Sequence, residues 1–167
     1  YEISLGAEFD HALTARLTGF QNTIKDNINL EYTESQGGIF QTFGGKLRSR
    51  GIEAEMRYDF GRGTYAAVNY TWQKAENLQS EERLWNVPEH KGNIMANIRL
   101  SRYLNLYTEL FFQDGYKRER EDEARGEHSG FGIVNATLIA KKFLKGHEGL
   151  EIRGSVYNLL DKAYTSP

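Results

Sequence analysis

Chemistry in this chain would have to come from a short inventory of side chains. There are four histidines, His11, His90, His128 and His147, and no cysteine. The histidines are scattered without metal-ligand spacing, and the absence of thiols excludes thiolate metal sites and a disulfide framework. His128 is followed directly by Ser129, a base beside a nucleophile. Neighbours on an extended strand point to opposite faces, so this pair cannot share a proton usefully. Glu53 and Glu55 are two residues apart and do share a strand face, as acid–base work would require. Arg57 continues the same row, which reads as a charge-balanced wall rather than a reaction centre. The expectation is no catalytic residue, no metal site and no cofactor.

The elements that would hold these residues are strands. Of 167 residues, Pro accounts for 2 and aromatic residues for 13%, and period-two alternation runs through almost the whole chain. Ile52, Ala54, Met56, Tyr58 and Phe60 alternate with Glu53, Glu55, Arg57 and Asp59. After Gly61-Arg62-Gly63, Ala66, Val68, Tyr70 and Trp72 alternate with Ala67, Asn69, Thr71 and Gln73. Similar alternation surrounds Ile3–Phe9, Leu13–Leu17, Ile94–Leu100, Leu106–Phe112, Val134–Ala140 and Leu150–Val156, with Met95 and Ile139 breaking the polar side. The spacing predicts about eight strands of roughly nine to eleven residues, the length that crosses a bilayer when tilted. Mean hydropathy is −0.64 and no apolar run approaches the roughly 20 residues of a membrane helix. A strand barrel needs no such run, because only every second residue meets lipid. Net charge is −2 with a pI near 6.1, which predicts no nucleic-acid partner.

The connections give these strands a direction. Short ones fall at Asp10-His11, Gly61-Arg62-Gly63, Ser101-Arg102-Tyr103 and Lys145–Gly149, and long polar ones at about 26–47, 74–92 and 114–129, in strict alternation. Outer-membrane barrels put short turns on the periplasmic side and long loops outside. Phe9, Phe60, Tyr65, Tyr103 and Phe143 would then band the short-turn rim, and Tyr1, Phe20, Trp72, Phe112 and Phe131 the long-loop rim. The apolar face would meet lipid. Glu53, Glu55, Arg57, Asn69, Asn97, Arg99, Glu109, Asn135, Glu151 and Arg153 would line the lumen. In the long loops, Trp85, Tyr116, Arg118, Arg120 and His128 are candidate extracellular ligand contacts. The mixed signs of "DGYKREREDEARGEH" (114–128) fit a solvated loop equally well. A complete small barrel of about eight strands with a structural or adhesive role, and a soluble ligand-binding barrel with its apolar face inside, are the competing architectures.

Three stretches resemble the C-terminal part of TonB-dependent outer-membrane receptors. They are "RSRGIEAEMRYDFGRGTYAAVNYTWQKAEN" (48–77), "NVPEHKGNIMANIRL" (86–100) and "GSVYNLLDKAYTSP" (154–167). The second is similar to the family's Asn-Val-Pro-x-His-Lys-x-Asn, through Asn86, Val87, Pro88, His90 and Lys91. The third is similar to its Asn-Leu-Phe-Asp-Lys-x-Tyr, through Asn158, Leu159, Asp161, Lys162 and Tyr164, with Leu160 in place of Phe. The resemblance implies structural roles for these motif residues, in an all-β antiparallel transmembrane barrel of about 22 strands around an N-terminal plug. Residues 1–167 are then expected to be part of that barrel domain near its C-terminus, without the plug. The resemblance further implies a Gram-negative outer-membrane location among lipid and lipopolysaccharide. Its implied partners are the receptor's own plug, the TonB–ExbB–ExbD system, and a scarce nutrient complex: a ferric siderophore first, with cobalamin, haem or another chelate as alternatives. It implies transport without covalent chemistry.

Overall fold

Alternating strands joined by turns rich in left-handed residues leave little choice but an antiparallel meander. The computed structural model describes residues 1–26, 28–33, 38–43, 45–117, 128–147 and 149–164. Its strands are β1 (Glu2–Phe9), β2 (Leu13–Ile24), β3 (Ile28–Thr33), β4 (Gly38–Phe43), β5 (Leu47–Gly61), β6 (Thr64–Asn77), β7 (His90–Arg99), β8 (Leu104–Gln113), β9 (Phe131–Lys141) and β10 (Glu151–Val156). Eight of them form one antiparallel sheet in the order β1-β2-β5-β6-β7-β8-β9-β10. The all-β class and the short–long alternation of connections are as expected from sequence. Segment 26–47 differs from expectation: β3 and β4 pair there as a separate hairpin, because a long polar segment still satisfies its backbone by pairing with itself.

Turn chemistry explains the short connections. Asp10 and His11 have φ of 47° and 56°, the left-handed pair that suits a tight hairpin. Gly61, Arg62 and Gly63 have φ of 81°, 54° and 80°, and Asp59 Oδ1 accepts from the Gly61 N–H at 2.8 Å. At the far end of this hairpin β5 and β6 stay paired through Leu47↔Asn77. The segment 74–77, expected in a loop, therefore extends the strand.

Directly paired residues in a sheet share a face, so the register sorts every side chain. One face carries Leu17, Ile52, Ala54, Met56, Val68, Tyr70, Trp72, Ile94, Ile98, Leu106, Leu138 and Ile152. Much of this face is open: Met56 is 50% exposed and Ile152 55%, and Ile3 and Leu5, which join it on β1, are 74% and 72% exposed. Among the described residues the buried hydrophobic set is Ala67, Ala75 and Tyr116. The accessible surface is 12159 Å², whereas a compact monomer of this mass exposes about 8,400 Å². Among the described residues no helix is long and apolar enough to cross a membrane. A single-layer sheet with one continuous apolar face needs an apolar medium against that face, and lipid supplies it to a barrel wall.

The aromatic bands are only partly as expected. Phe9, Phe60, Trp72 and Phe112 lie on the apolar face, and Phe60 packs edge-on against Tyr58 at 4.6 Å. Phe20, Tyr65 and Phe131 correct the expectation. Their register partners Gly51, Asn97 and Gln113 put them on the polar face. Phe20 covers Gly51 there, with its Cζ 2.9 Å from where a Cβ would stand.

Candidate functional site

The opposite face is a continuous polar wall. Register aligns Thr18, Glu53, Thr71, Lys91 and Gln113 in one row, and Arg16, Glu55, Asn69 and Asn93 in the next. Arg57, Met95, Glu109 and Asn135 share a third row; Asp59, Tyr65, Asn97, Tyr107, Thr137 and Ser155 a fourth; Arg99, Asn105 and Arg153 a fifth. Lys141 and Glu151 close the series. Every residue expected to line a lumen thus lies on this one face.

The wall compensates its own charge within and across strands. Arg16 stands 3.8 Å from Glu55, and Arg57 3.8 Å from Asp59. The Arg57 guanidinium also lies 3.6 Å over the Tyr65 ring, a cation–π contact. Asn69 donates to Asn93 Oδ1 at 2.9 Å, and Asn93 donates to Glu109 at 3.3 Å, making an amide relay across three strands. Arg99 donates to the carbonyls of Arg62 and Ser101 at 3.3 Å each, which ties two short turns together. Glu151 takes Lys141 at 3.3 Å and also bonds Arg153. Most of the ion-paired side chains are at least two-fifths exposed, so water replaces those bonds at little net cost, while the amide relay is part-buried. Arg16, Asn93 and Tyr107 belong to the wall as fully as the residues singled out from sequence. Strand parity was the signal that could have found them.

The two motif segments sit where strands leave for the long loops. Asn86 has φ 57°, and its N–H donates to the Lys117 carbonyl at 2.9 Å. The carbonyls of Val87, Pro88 and Glu89 accept from Arg83 at 3.4 Å, the Gln73 side chain at 3.2 Å and the Gln73 N–H at 2.8 Å. His90 Nδ1 is 2.6 Å from the Tyr70 hydroxyl on the apolar face, and the His90 carbonyl accepts from Asp114 N–H at 2.8 Å. Lys91 turns to the polar face opposite Thr71. The segment therefore knots the ends of β6 and β8 to the start of β7.

Asn158, with φ 50°, folds the second motif. Its side chain donates to the Lys162 carbonyl and accepts from the Lys162 N–H, both at 3.0 Å. Its own N–H donates to Asn135 Oδ1 at 3.0 Å, and the Leu159 N–H donates to the Val134 carbonyl at 2.8 Å. The Asp161 N–H donates to the Asn158 carbonyl at 2.8 Å, and Tyr164 stacks on Phe131 at 4.9 Å. A side chain that bonds its own backbone four residues on is a turn clamp.

The loop candidates fare unevenly. Tyr116 is 1% exposed, with the His128 ring 4.5 Å away. Its main chain bridges to His128 through paired backbone bonds of 3.1 and 3.0 Å. Trp85 and His128 are half-buried. Arg118 and Arg120 lie outside the described residues. Among the described residues no three His, Asp or Glu side chains gather as a metal site.

On the rim above Trp72, Arg48 bonds Glu76, and Lys74 Nζ lies 3.3 Å from the same carboxylate. The Arg48 bond holds the Glu76 carboxyl below the usual carboxylate range, against an opposing contribution from burial.

Comparison with known proteins adds the wider frame. Residues 1–159 match the family description "TonB dependent receptor-like, beta-barrel". The fold matches the ferric citrate transporter FecA in its unliganded form, at 22% identity and TM-score 0.76, over 98% of this chain and 26% of that one. It matches the ferric yersiniabactin uptake receptor FyuA from Yersinia pestis at 19% identity and TM-score 0.76, over 97% and 24%. The copper transporter OprC matches at 16% identity and TM-score 0.76, over 99% and 25%. Identities this low speak for the fold alone. The chain spans about a quarter of the length of these solved proteins.

Proposed function

The chain belongs to the TonB-dependent receptor β-barrel family, whose place is the outer membrane of Gram-negative bacteria, and from that premise we propose that it forms the C-terminal part of a receptor wall for energised uptake of a ferric chelate. The observation that carries the reading is the two-sided sheet. Its apolar face is uncovered, and its polar face is knit by bonds that water can replace. A plug docked on such a surface is held by many weak, hydrated contacts and can shift without breaking a dry seal. The plug itself, and the TonB–ExbB–ExbD system that would pull on it, belong to the rest of the parent protein and to the cell.

The family works by transport, and this chain is proposed to do no covalent chemistry. Binding falls to the long-loop rim, with Trp85 and His128 retained as contacts and Arg118 and Arg120 as further candidates. Several matched proteins are described as handling ferric chelates, which supports iron over cobalamin or haem as the cargo. A strain lacking the parent gene, grown with one iron, haem or cobalamin source at a time, tests this. Loss of growth on one ferric chelate, restored by the gene, is the expected result. Growth unimpaired on every iron source but lost on cobalamin would replace the ligand class.

A further inference from the structure

We propose that the periplasmic end of the polar wall holds a binding site for a small anionic metal chelate, in the cleft between the β7–β8 and β9–β10 turns. The inference rests on the transport reading above, whose cargo is a ferric chelate, and on the short turns being periplasmic.

Arg99 and Asn105 are register partners on the polar face, and Lys141 stands on that face at the end of β9. With the two short turns they enclose a cleft of about 700 Å³, a size that suits small molecules. Arg99, Arg102, Lys141, Lys142 and Lys145 line it, and among the described residues no carboxylate does. Glu151 stands beside Lys141 but is shared between Lys141 and Arg153. Glu148, in the β9–β10 turn, lies outside the described residues. Setting both glutamates against these five cations and Arg153 still leaves a surplus of four.

The rest of the wall shows no such surplus, since Arg16 is paired with Glu55 and Arg57 with Asp59. A cleft lined by one sign focuses its field and concentrates counter-ions. Carboxylate and catecholate oxygens wrapped around Fe(III) outnumber its charge, so such a chelate is a compact multivalent anion. Its outer oxygens suit the guanidinium forks of Arg99 and Arg102 and the point charges of the lysines.

Backbone bonds build the cleft in advance. The Leu100 and Ser101 N–H groups donate to the Leu104 carbonyl at 2.9 and 3.1 Å, and the Lys141 N–H donates to the Tyr103 carbonyl at 2.9 Å. Across the cleft, the His147 N–H donates to the Leu144 carbonyl at 3.1 Å. Arg99 is held by the Ser101 and Arg62 carbonyls, and Arg102 lies 4.5 Å over the Tyr103 ring. Two of the five cations are thus placed before any ligand arrives, which lowers the cost of ordering them on binding. The cleft opens on the polar face, away from lipid, so its anion is a dissolved one. Cations grouped around one cleft, rather than spread along a stripe, fit a compact anion better than an extended acidic segment.

The test uses the full-length receptor in mild detergent at low ionic strength, with the inert tris(oxalato)chromate(III) anion as probe. Equilibrium dialysis followed by metal analysis counts what is retained, and hexaamminecobalt(III), octahedral but cationic, is the control. The wild type is expected to retain the anion and not the cation. Arg102→Gln with Lys142→Asn and Lys145→Gln is expected to bind the anion about tenfold more weakly, the combined scale of three exposed charge contacts. Lys142 has φ 54°, which asparagine tolerates, so that substitution spares the turn. Equal retention of the two probes by the wild type overturns the proposal. So does unchanged anion binding in the triple variant, the outcome expected if an acidic protein segment occupies the cleft. If the triple variant fails to fold, the wild-type comparison and Arg102→Gln alone still decide. The growth test above separates the two readings. Normal growth on a ferric chelate without anion preference sinks this inference alone, whereas growth lost only on cobalamin replaces the cargo and leaves a retained anion site standing.

Discussion

Arg57 and Glu76 show what single residues contribute on the two faces. Arg57 shares its guanidinium between Asp59 and the Tyr65 ring on the polar wall. If the wall guides a moving plug, Arg57→Gln lowers chelate uptake by a factor of about two to five, the scale of one exposed ion pair, while the barrel folds normally. Unchanged uptake with normal folding would make the wall a passive, wet surface. Glu76 lies beyond Trp72, outside the membrane-spanning part of β6, and its carboxyl is held below the ordinary range by Arg48. A depressed folded-state pKa contributes stability at pH above the unfolded value, and loses it as pH falls through the folded value. Urea midpoints of the full receptor should therefore drop on acidification through and below the ordinary carboxylate range, and Glu76→Gln should flatten that part of the profile. An identical profile in the variant would assign the acid sensitivity elsewhere. The Arg57–Asp59 pair follows from the period of one strand, whereas Arg48 and Glu76 are joined only by register.

At the scale of elements, close approach rather than turn geometry decides which glycines matter. A Cβ on Gly92 would stand 2.5 Å from the Asn69 carbonyl oxygen and 2.9 Å from Phe112 Cζ, while one on Gly132 finds its nearest neighbours at 3.7 Å. Gly92→Ala is expected to cost about 1–3 kcal/mol of stability and Gly132→Ala far less, by the overpacking of a filled site. Urea unfolding of both variants in lipid vesicles checks the order, and equal midpoints would refute it. Alternation in the sequence revealed the eight strands of the main sheet and their faces. It also held the correction for Phe20, Tyr65 and Phe131, whose parity matches Thr18, Asn69 and Asn135. Grouping them by height along the strand, without parity, produced the error. The β3–β4 hairpin escaped the reading although Ile28, Leu30 and Tyr32 alternate with Asn29, Glu31 and Thr33, because a run of six residues is too short to stand out inside a long connection.

The whole molecule is a wall, and its stability depends on what covers each side. Met56 stands mid-strand on the apolar face, between Ile52 and Phe60, and is 50% exposed. Met56→Arg is expected to cost about 2–4 kcal/mol in a bilayer, whereas Glu55→Gln, one residue away on the polar face, should be nearly neutral. Folding titrations of the full receptor in lipid vesicles would measure both. The reverse ranking would describe a barrel with its apolar face inside, and would overturn the membrane orientation.

The sequence by itself determined the strands, the two faces and the order of short and long connections, because period two and left-handed turn residues are local properties of the chain. Three motif segments were enough to suggest the family before any coordinates. Only the tertiary structure decided that Asn69, Asn93 and Glu109 form one relay, that Asn158 clamps a turn onto Asn135, and that Tyr116 is buried beside His128. It also decided that cations from two turns and two strand ends gather around one cleft. Those facts depend on register, on which residue of one strand lies beside which of the next, and register is set by contacts between residues far apart in the chain.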